Sequence, residues 1–489
     1  MAAPNHPAGM PSPQEFVAAL IAVVGGGNVL TGDAAAPYLT DWRRKRTGRA
    51  IAVARPANRE EVAALVRLCA AHGVPIVAQG GNTGQVAGAT PDTSGRALVL
   101  SLARLNRIRA IDADNDTITV EAGCVLQAVQ EAARRHNRLF PLSLGAEGSC
   151  TIGGNLATNA GGSQVLRYGN ARELTLGLEV VTAEGEIWHG LRGLRKDNAG
   201  YDLRDLYLGS EGTLGIITAA TLRLYPMPQS QHTALVALAS LEDATRLLAR
   251  ARSELGSTLT AFEVMARGCL EDVVAAFPRQ RLPFERQDPA VQWYALLESS
   301  VTRARASPGD DFEAMLAGAW EAGVISDAVI AASAAQQRDF WALREHITLA
   351  LAEQPYCIKH DISLPISAVA DFVRRNGAQL AQAHPGLRMR VFGHLGDGNL
   401  HYNLLGPVGT SRAAWMAAEP GIQTKVHDEV VALGGSISAE QGIGGLRVAE
   451  LRRYKPALEL ALMRRIKQAL DPSGLLNPGK VLDPSQSPD

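Results

Sequence analysis

Two histidines, His394 and His401, have residue types and a spacing that point directly to chemistry. Between them lies Asp397-Gly398, a typical two-residue turn of a β-hairpin. A hairpin centred on that turn pairs His394 directly with His401 and places both imidazoles on one face, with Cβ atoms roughly 4.5–5.5 Å apart. Both rings could then bind one metal ion. Taken alone, the spacing is more typical of structural histidines, because it is not a common zinc motif.

Polar residues suited to an anionic substrate precede this pair. Arg344 and Thr348 are four residues apart and share one face of a predicted helix, and Lys359 follows on an extended stretch. The guanidinium of Arg344 can bind a carboxylate through two parallel hydrogen bonds. From the residues alone, solvated surface charge is the commoner explanation.

The composition favours a globular protein of at least two domains that acts on a small molecule. The chain has 489 residues, more than one hydrophobic core normally serves. Its 48 Lys and Arg nearly balance its 49 Asp and Glu, which argues against nucleic acid or an anionic membrane as the main partner.

Five cysteines without a CxxC pair favour a reducing cytoplasm. The stretch FVAALIAVVGGG follows Glu15 and is too short to span a bilayer, so it predicts a helix that ends at glycine, not a signal peptide or anchor.

Two glycine-rich blocks dominate the first half of the sequence. Residues 55–84 predict a helix capped by Asn58 and ended by Gly73, then a strand over 74–78, then a glycine loop. The second block, at 145–169, reads GAEGSCTIGGNLATNAGGSQVLRYG. Such loops bind anions through backbone N–H groups, and two of them indicate a dinucleotide held by its diphosphate. Neither has the GxGxxG spacing of a Rossmann unit, and tight turns are the alternative explanation.

Several stretches, in order along the chain, resemble a known family. They are PIVAQGGNTG, GSCTIGGNLATNAGG, RYGNAREL, RKDNAGYDLRDLYLGSEGTLGIIT, GHLGDGNLH and LNPGK. From about residue 45 to 482 the chain resembles the flavin-linked D-2-hydroxy acid dehydrogenases of the vanillyl-alcohol-oxidase superfamily, which include D-lactate and D-2-hydroxyglutarate dehydrogenases.

The resemblance implies an α+β fold with four parts. They are an N-terminal helical segment (1–44), a PCMH-type FAD-binding domain (45–227), a substrate-binding domain with an antiparallel sheet flanked by helices (228–425), and a C-terminal helical segment that packs on the FAD site (426–489). The two prolines of LYPMP, at 224–228, also predict a boundary there.

The resemblance implies a non-covalently bound FAD. Some members of the superfamily attach the flavin to a histidine in the first glycine loop, and the matching residue here is Asn82. The residues implied to hold FAD are Gly80, Gly81, Asn82, Thr83, Gly84, Gly88, Gly145, Gly148, Ser149, Gly153, Gly154, Asn155, Thr158, Asn159, Gly161, Gly162, Tyr168, Glu211, Gly212, Ile217 and Asn477.

The resemblance also implies a divalent metal ion held by His394, His401 and Glu440. Zinc is the expected ion, and manganese, iron and cobalt are the alternatives that two imidazoles and a carboxylate accommodate. A 2-hydroxy acid would chelate the ion through its hydroxyl and one carboxylate oxygen. The lowered pKa of that hydroxyl would favour transfer of hydride to flavin N5.

The implied substrate is a D-2-hydroxy acid with a second carboxylate. Members that act on 2-hydroxyglutarate match this chain at Arg344, Thr348, Lys359 and Asn403, whereas the D-lactate branch carries a bulky apolar residue where Thr348 stands. D-2-hydroxyglutarate is therefore expected first and D-malate second. A D-lactate or glycolate-type dehydrogenase is the alternative.

One departure from the family pattern concerns catalysis. Members usually read Ala-Glu-His-Gly where this chain has Ala439-Glu440-Gln441-Gly442, and the resemblance implies that the histidine accepts the hydroxyl proton. Glutamine cannot act as a base. His360 is the candidate replacement, and a structural histidine on the other face of its strand is the alternative. A same-fold enzyme with altered chemistry around Gln441, and a non-catalytic flavin-binding protein, therefore stay open as functions.

The expected partners are small or transient. They are the hydroxy acid, an electron acceptor such as an electron-transferring flavoprotein or a quinone, and a second copy of the chain in a homodimer; the expected location is the cytoplasm.

Overall fold

The computed structural model describes residues 12–285, 288–302, 309–354 and 356–483. The chain forms two compact units. The first comprises Met1–Ala160, Asn170–Pro226 and Glu440–Asp489, and the second comprises Gly161–Gly169 and Met227–Ala439. The division after Pro226 lies one residue from the predicted boundary, whereas the predicted boundary after residue 425 falls inside a helix of the second unit.

The first unit is built from short strands and helices. Its elements are α1 (Pro13–Val24), β1 (Val29–Leu30), β2 (Ala50–Ala54), α2 (Arg59–His72), β3 (Ile76–Gln79), β4 (Ala97–Ser101), β5 (Ile108–Asp112), β6 (Thr117–Glu121), α3 (Leu126–Arg135), β7 (Arg138–Leu139), α4 (Ile152–Ala157), β8 (Thr175–Val181), β9 (Ile187–Gly190), α6 (Leu203–Tyr207), β10 (Ile216–Arg223), β11 (Tyr225–Pro226), α13 (Val448–Tyr454) and α14 (Ala457–Leu470). The helix α5 (Val165–Tyr168) interrupts this series in sequence and belongs to the second unit.

Two main sheets organise the first unit. One has the order β1-β2-β4-β3 with parallel pairing of β4 to β2 and β3, and the other is antiparallel in the order β5-β6-β10-β8-β9. The predicted helix α2 begins where the Asn58 side chain accepts a hydrogen bond from Glu61 N–H, and it ends at Gly73 with a φ of +61°. β3 then leads directly into the first glycine loop, as the sequence predicts.

The second unit is one large sheet covered by helices on both faces. Its elements beyond α5 are β12 (Ser230–Leu238), α7 (Leu241–Leu255), β13 (Leu259–Ala266), α8 (Arg267–Ala276), β14 (Trp293–Val301), α9 (Asp310–Glu321), β15 (Asp327–Ile330), α10 (Ala334–Ala352), β16 (Cys357–Ser363), α11 (Ile366–Ala383), β17 (Arg388–His394), β18 (Asn399–Leu405) and α12 (Arg412–Ala432).

All strand pairs of this sheet are antiparallel, in the order β15-β12-β14-β13-β17-β18-β16. One face packs against α7, α9, α11 and α12, and the other against α8 and α10. Because side chains alternate across a strand, each residue's register position decides which set of helices it faces. The mixture of helices with antiparallel sheets confirms the predicted α+β class.

Among the described residues, no helix combines the length and the apolar character needed to cross a membrane.

Candidate active site

The two predicted glycine blocks lie against each other in the first unit. A Cβ atom added to Gly80 would collide with Thr151 Oγ1, and one added to Gly81 would collide with the Ser149 carbonyl oxygen. Only glycine allows the backbones to approach this closely. The second block therefore requires glycine at positions 80 and 81, which the tight-turn explanation alone does not account for.

The first glycine loop presents a run of backbone donors. In the described part of the chain, no N–H group from residue 81 to residue 89 donates a hydrogen bond to another backbone carbonyl. Added Cβ atoms at Gly84 and Gly145 would meet nothing within 4 Å, so there is open space beside both blocks. Successive N–H groups without a backbone acceptor can bind an anion, and this run fits the diphosphate of FAD.

Two further predicted FAD residues hold this region together through hydrogen bonds to the protein. The Glu211 carboxylate accepts from Ile443 N–H at 2.8 Å and from Gly444 N–H at 2.7 Å, and burial raises the pKa of this carboxyl. Asn477 Nδ2 donates to the carbonyls of Gly88, at 3.0 Å, and Glu211, at 2.7 Å. Glu211 thus fixes the loop that follows Gln441, and Asn477 joins the backbone at Glu211 to that at Gly88.

The other predicted FAD residues divide between the units. Asn82 lies in the first loop with a φ of +52°, and its Nδ2 donates to the Thr40 carbonyl at 2.9 Å. The first unit contains the predicted residues Gly80, Gly81, Asn82, Thr83, Gly84, Gly88, Gly145, Gly148, Ser149, Gly153, Gly154, Asn155, Thr158, Asn159, Glu211, Gly212, Ile217 and Asn477. Gly161, Gly162 and Tyr168 belong to the second unit.

The histidine pair lies on a hairpin whose predicted register is wrong by two residues. The pairing is Phe392 with His401, and the connection is the four-residue turn from Leu395 to Gly398 instead of a two-residue turn. The turn closes through Gly398 N–H, which donates to the Leu395 carbonyl at 3.2 Å, with Gly398 at a φ of +80°. A shift of two preserves the face on which side chains point. His394 and His401 are therefore diagonal neighbours on one face, with ring centroids 5.6 Å apart.

The third predicted metal ligand lies with this pair. One ligand atom each from His394, His401 and Glu440 are all within 4.8 Å of one another. The Ala439 N–H, one residue before Glu440, donates to the Asp361 carbonyl of β16 at 3.2 Å, which anchors the chain there. Two imidazoles and a carboxylate at this spacing fit a divalent ion with an open coordination position.

Each histidine lies opposite a buried carboxylate on the neighbouring strand. Neither carboxylate was predicted from the sequence. Glu263 is directly opposite His394 in register, and its Oε1 lies 2.7 Å from His394 Nδ1. Asp361 is directly opposite His401, with Oδ1 3.7 Å from His401 Nδ1. A lone acidic residue inside an apolar strand, as in LTAFEVMA, is the only sequence signal that marks Glu263.

Glu263 lies between His394 and Arg344 and contacts both. It is 1% exposed, and burial alone disfavours its charged form. The charges of His394 and Arg344 outweigh this penalty and hold the pKa of the carboxyl below its usual range.

Arg344 projects from α10 onto the same face and is 8% exposed. Its Nε donates to Glu263 Oε2 at 2.8 Å, and its guanidinium carbon lies 4.7 Å from the centroid of the Phe392 ring. Among the described residues, no hydrogen bond involves either Nη group. A largely buried guanidinium with free Nη donors is suited to an anionic ligand.

The remaining predicted substrate residues lie on β16, β18 and α10. Lys359 is opposite Asn403 across β16 and β18, in the alternation that also carries Asp361 and His401. Thr348 is exposed on α10, one turn after Arg344.

The structure does not bring His360 to the histidine pair. It is opposite Tyr402, one residue out of phase with His401, so its side chain points to the other face of the sheet. There its Nδ1 lies 2.9 Å from the Tyr402 carbonyl oxygen, and its ring is 5.7 Å from that of His427 on α12. Its position matches the structural alternative. Gln441 directly follows Glu440 and is partly buried.

Comparisons with known sequences agree with this geometry. A profile for the FAD binding domain matches residues 50–190, and a profile described as FAD linked oxidases, C-terminal domain, matches residues 227–481. The D-2-hydroxyglutarate dehydrogenase of Xanthomonas citri pv. viticola is 42% identical over 457 residues, which cover 92% of this chain and 93% of that protein. The mitochondrial D-2-hydroxyglutarate dehydrogenase of Bos taurus is 37% identical over 477 residues, which cover 96% and 84%.

Solved structures support the fold. p-Cresol methylhydroxylase with substrate bound aligns with a TM-score of 0.75 at 17% identity, covering 98% of this chain and 99% of that chain. An alkyldihydroxyacetonephosphate synthase aligns with a TM-score of 0.71, also at 17% identity, covering 97% and 86%. The matched profiles and the extent of identity agree with the two glycine blocks that lie against each other. This chain belongs to the FAD-linked D-2-hydroxy acid dehydrogenases, oxidoreductases that act on CH–OH groups.

Proposed function

We propose that this protein oxidises D-2-hydroxyglutarate to the 2-oxo acid, with FAD and one divalent metal ion, zinc first among the candidates. The names of the similar proteins support the substrate. The observation that carries the proposal is the free Nη fork of buried Arg344 on the same sheet face as His394 and His401. One face thus offers a carboxylate clamp and a metal-ligand set.

In this proposal His394, His401 and Glu440 hold the metal ion, leaving a position for the substrate. When bound, the two cofactors would supply a Lewis acid for the substrate hydroxyl and an acceptor for two electrons. The oxidation removes two electrons and two protons from the CH–OH group.

Arg344 binds the distal carboxylate of the substrate, and Lys359, Thr348 and Asn403 complete its surroundings. Burying a carboxylate without partners costs several kcal/mol, so a diacid requires such donors. D-Malate is one methylene shorter and reaches the same fork less well, which makes it the second substrate.

Gln441 takes the place of the family histidine in this proposal. Its amide can donate a hydrogen bond to the substrate hydroxyl or to the product carbonyl, but it cannot accept the proton. The proton therefore leaves through another group or through water, and turnover is slower than with a histidine.

The proposal also includes an electron-transferring flavoprotein or a quinone as acceptor, a homodimer, and a cytoplasmic location.

Anaerobic mixing with a panel of D-2-hydroxy acids tests the substrate. Flavin absorbance is expected to bleach with D-2-hydroxyglutarate at the lowest concentration, then with D-malate, then with D-lactate. A ranking with D-lactate first would overturn the choice of a diacid, and no bleaching with any acid would favour a non-catalytic flavoprotein.

A further inference from the structure

We propose that Glu263 is the positioning residue that aligns both halves of this site, by fixing the His394 ring for metal binding and the Arg344 guanidinium for substrate binding. The inference rests on the proposed function, because it requires that the ion bind at the histidine pair. Glu263 lies on β13 and acts through His394 and Arg344, without touching the ion or the substrate itself.

Glu263 fixes the orientation of the His394 ring. Glu263 Oε1 lies 2.7 Å from Nδ1, so this nitrogen of the ring is held by the carboxylate. Nε2 is then the ring nitrogen left for a metal ion, which displaces any proton that Nε2 carries. A carboxylate behind a ligating histidine fixes the ring orientation and raises its basicity.

The two histidines differ in their distance from the carboxylate on the neighbouring strand. Asp361 Oδ1 lies 3.7 Å from His401 Nδ1, beyond hydrogen-bond distance, and the same oxygen accepts from Asn399 Nδ2 at 2.9 Å. Glu263 has no competing amide of this kind among the described residues. The Glu263–His394 contact is therefore the closer of the two, although both carboxylates share the same cross-strand register.

Glu263 uses both carboxylate oxygens. Oε2 accepts from Arg344 Nε at 2.8 Å while Oε1 faces His394, so one carboxylate connects the clamp and the ligand set. Phe392 lies beneath the guanidinium and beside His401, with ring centroids 4.8 Å apart in the latter pair. Removal of the Glu263 charge would leave the Arg344 cation next to an incoming metal cation.

The experiment measures metal affinity directly, in the flavin-loaded protein. Chelator-stripped wild type, Glu263→Gln, Asp361→Asn and Glu298→Gln are titrated with Zn²⁺ against a chromophoric chelator, and Co²⁺ spectra report the ligand field. Glu298 is the matched control: it is a buried carboxylate on β14 that accepts from Trp341 Nε1 at 3.0 Å and from Thr260 Oγ1 at 3.2 Å.

We expect Glu263→Gln to weaken Zn²⁺ binding by about 10- to 100-fold and to change the Co²⁺ spectrum. Asp361→Asn should weaken binding by less, and Glu298→Gln should leave it unchanged. Affinity of Glu263→Gln within about threefold of wild type, or a larger loss in Asp361→Asn, would overturn the inference.

Two further results keep the test decisive. If Glu263→Gln does not fold with its flavin, Glu263→Asp replaces it. This variant keeps a negative charge near Arg344, but its shorter side chain withdraws the carboxylate from His394 Nδ1. It too should bind Zn²⁺ more weakly than wild type, and an affinity equal to that of wild type would refute the role. If wild type itself binds no Zn²⁺ or Co²⁺, the metal part of the proposed function fails, and this inference fails with it. A metal-binding wild type with an unaffected Glu263→Gln defeats the inference alone.

Discussion

Replacement of Arg344 by lysine tests its proposed contact with the substrate separately from its buried ion pair with Glu263. Wild-type Arg344 binds Glu263 through Nε at 2.8 Å and keeps its Nη groups for another partner. Lysine retains the positive charge that Glu263 requires but has a single ammonium, which cannot serve both carboxylates with the same geometry. Arg344→Lys therefore removes the fork and leaves the buried Glu263 charge compensated.

The magnitude follows from the hydrogen bonds that are lost. A hydrogen bond to a charged group contributes about 1.5–3 kcal/mol. At about 1.4 kcal/mol for each factor of ten, kcat/KM for D-2-hydroxyglutarate should fall by about 10- to 150-fold. D-Lactate lacks the distal carboxylate, so its kcat/KM should change by less than about threefold.

The assay compares both substrates by steady-state dye reduction in wild type, Arg344→Lys and Arg390→Lys. Arg390 is the control because it extends from β17 in the same alternation as His394 but is occupied by Asp272, with Nε–Oδ2 at 2.6 Å and Nη2–Oδ1 at 3.1 Å. Its replacement should leave the ratio of the two substrates unchanged. Equal losses for both substrates in Arg344→Lys, or no loss for the diacid, would refute the assignment of Arg344 to the distal carboxylate.

Further predictions concern the cofactors, the base and the pH dependence of stability. A chelator should abolish activity while the flavin spectrum stays intact, and full activity after the metal is removed would contradict a role for the ion. Denaturation by acid or heat should release the yellow chromophore into solution because Asn82 cannot form the histidine–flavin bond, and colour retained by the precipitate would contradict this. Gln441→His should raise kcat by about tenfold or more if a missing base limits turnover, and an unchanged rate would show that the proton takes another route. Burial raises the pKa of Glu298 above the ordinary glutamate value of 4.5, so this carboxyl contributes stability below about pH 4.5 that is lost as the pH rises through its folded pKa. Glu298→Gln should therefore raise the Tm at pH 7 and leave it unchanged near pH 4, and a lower Tm at pH 7 would contradict the sign.

Local patterns predicted more of the first unit than of the second. Asn58, Gly73 and the glycine loop after β3 follow from capping and from the backbone freedom of glycine, which operate within a few residues. The placement of His394 and His401 on one face was predicted correctly despite an incorrect turn length, because an error of two residues preserves side-chain parity.

What the sequence determined by itself was the family, the two glycine blocks, the histidine pair on one face and the substitution at Gln441. Only the tertiary structure placed Glu263 behind His394, because these residues are 131 positions apart and meet through the pairing of β13 with β17. It also turned His360 toward α12, since register within the sheet decides which face a side chain occupies. Pairing between distant strands depends on the packing of the whole unit, so no local pattern encodes it.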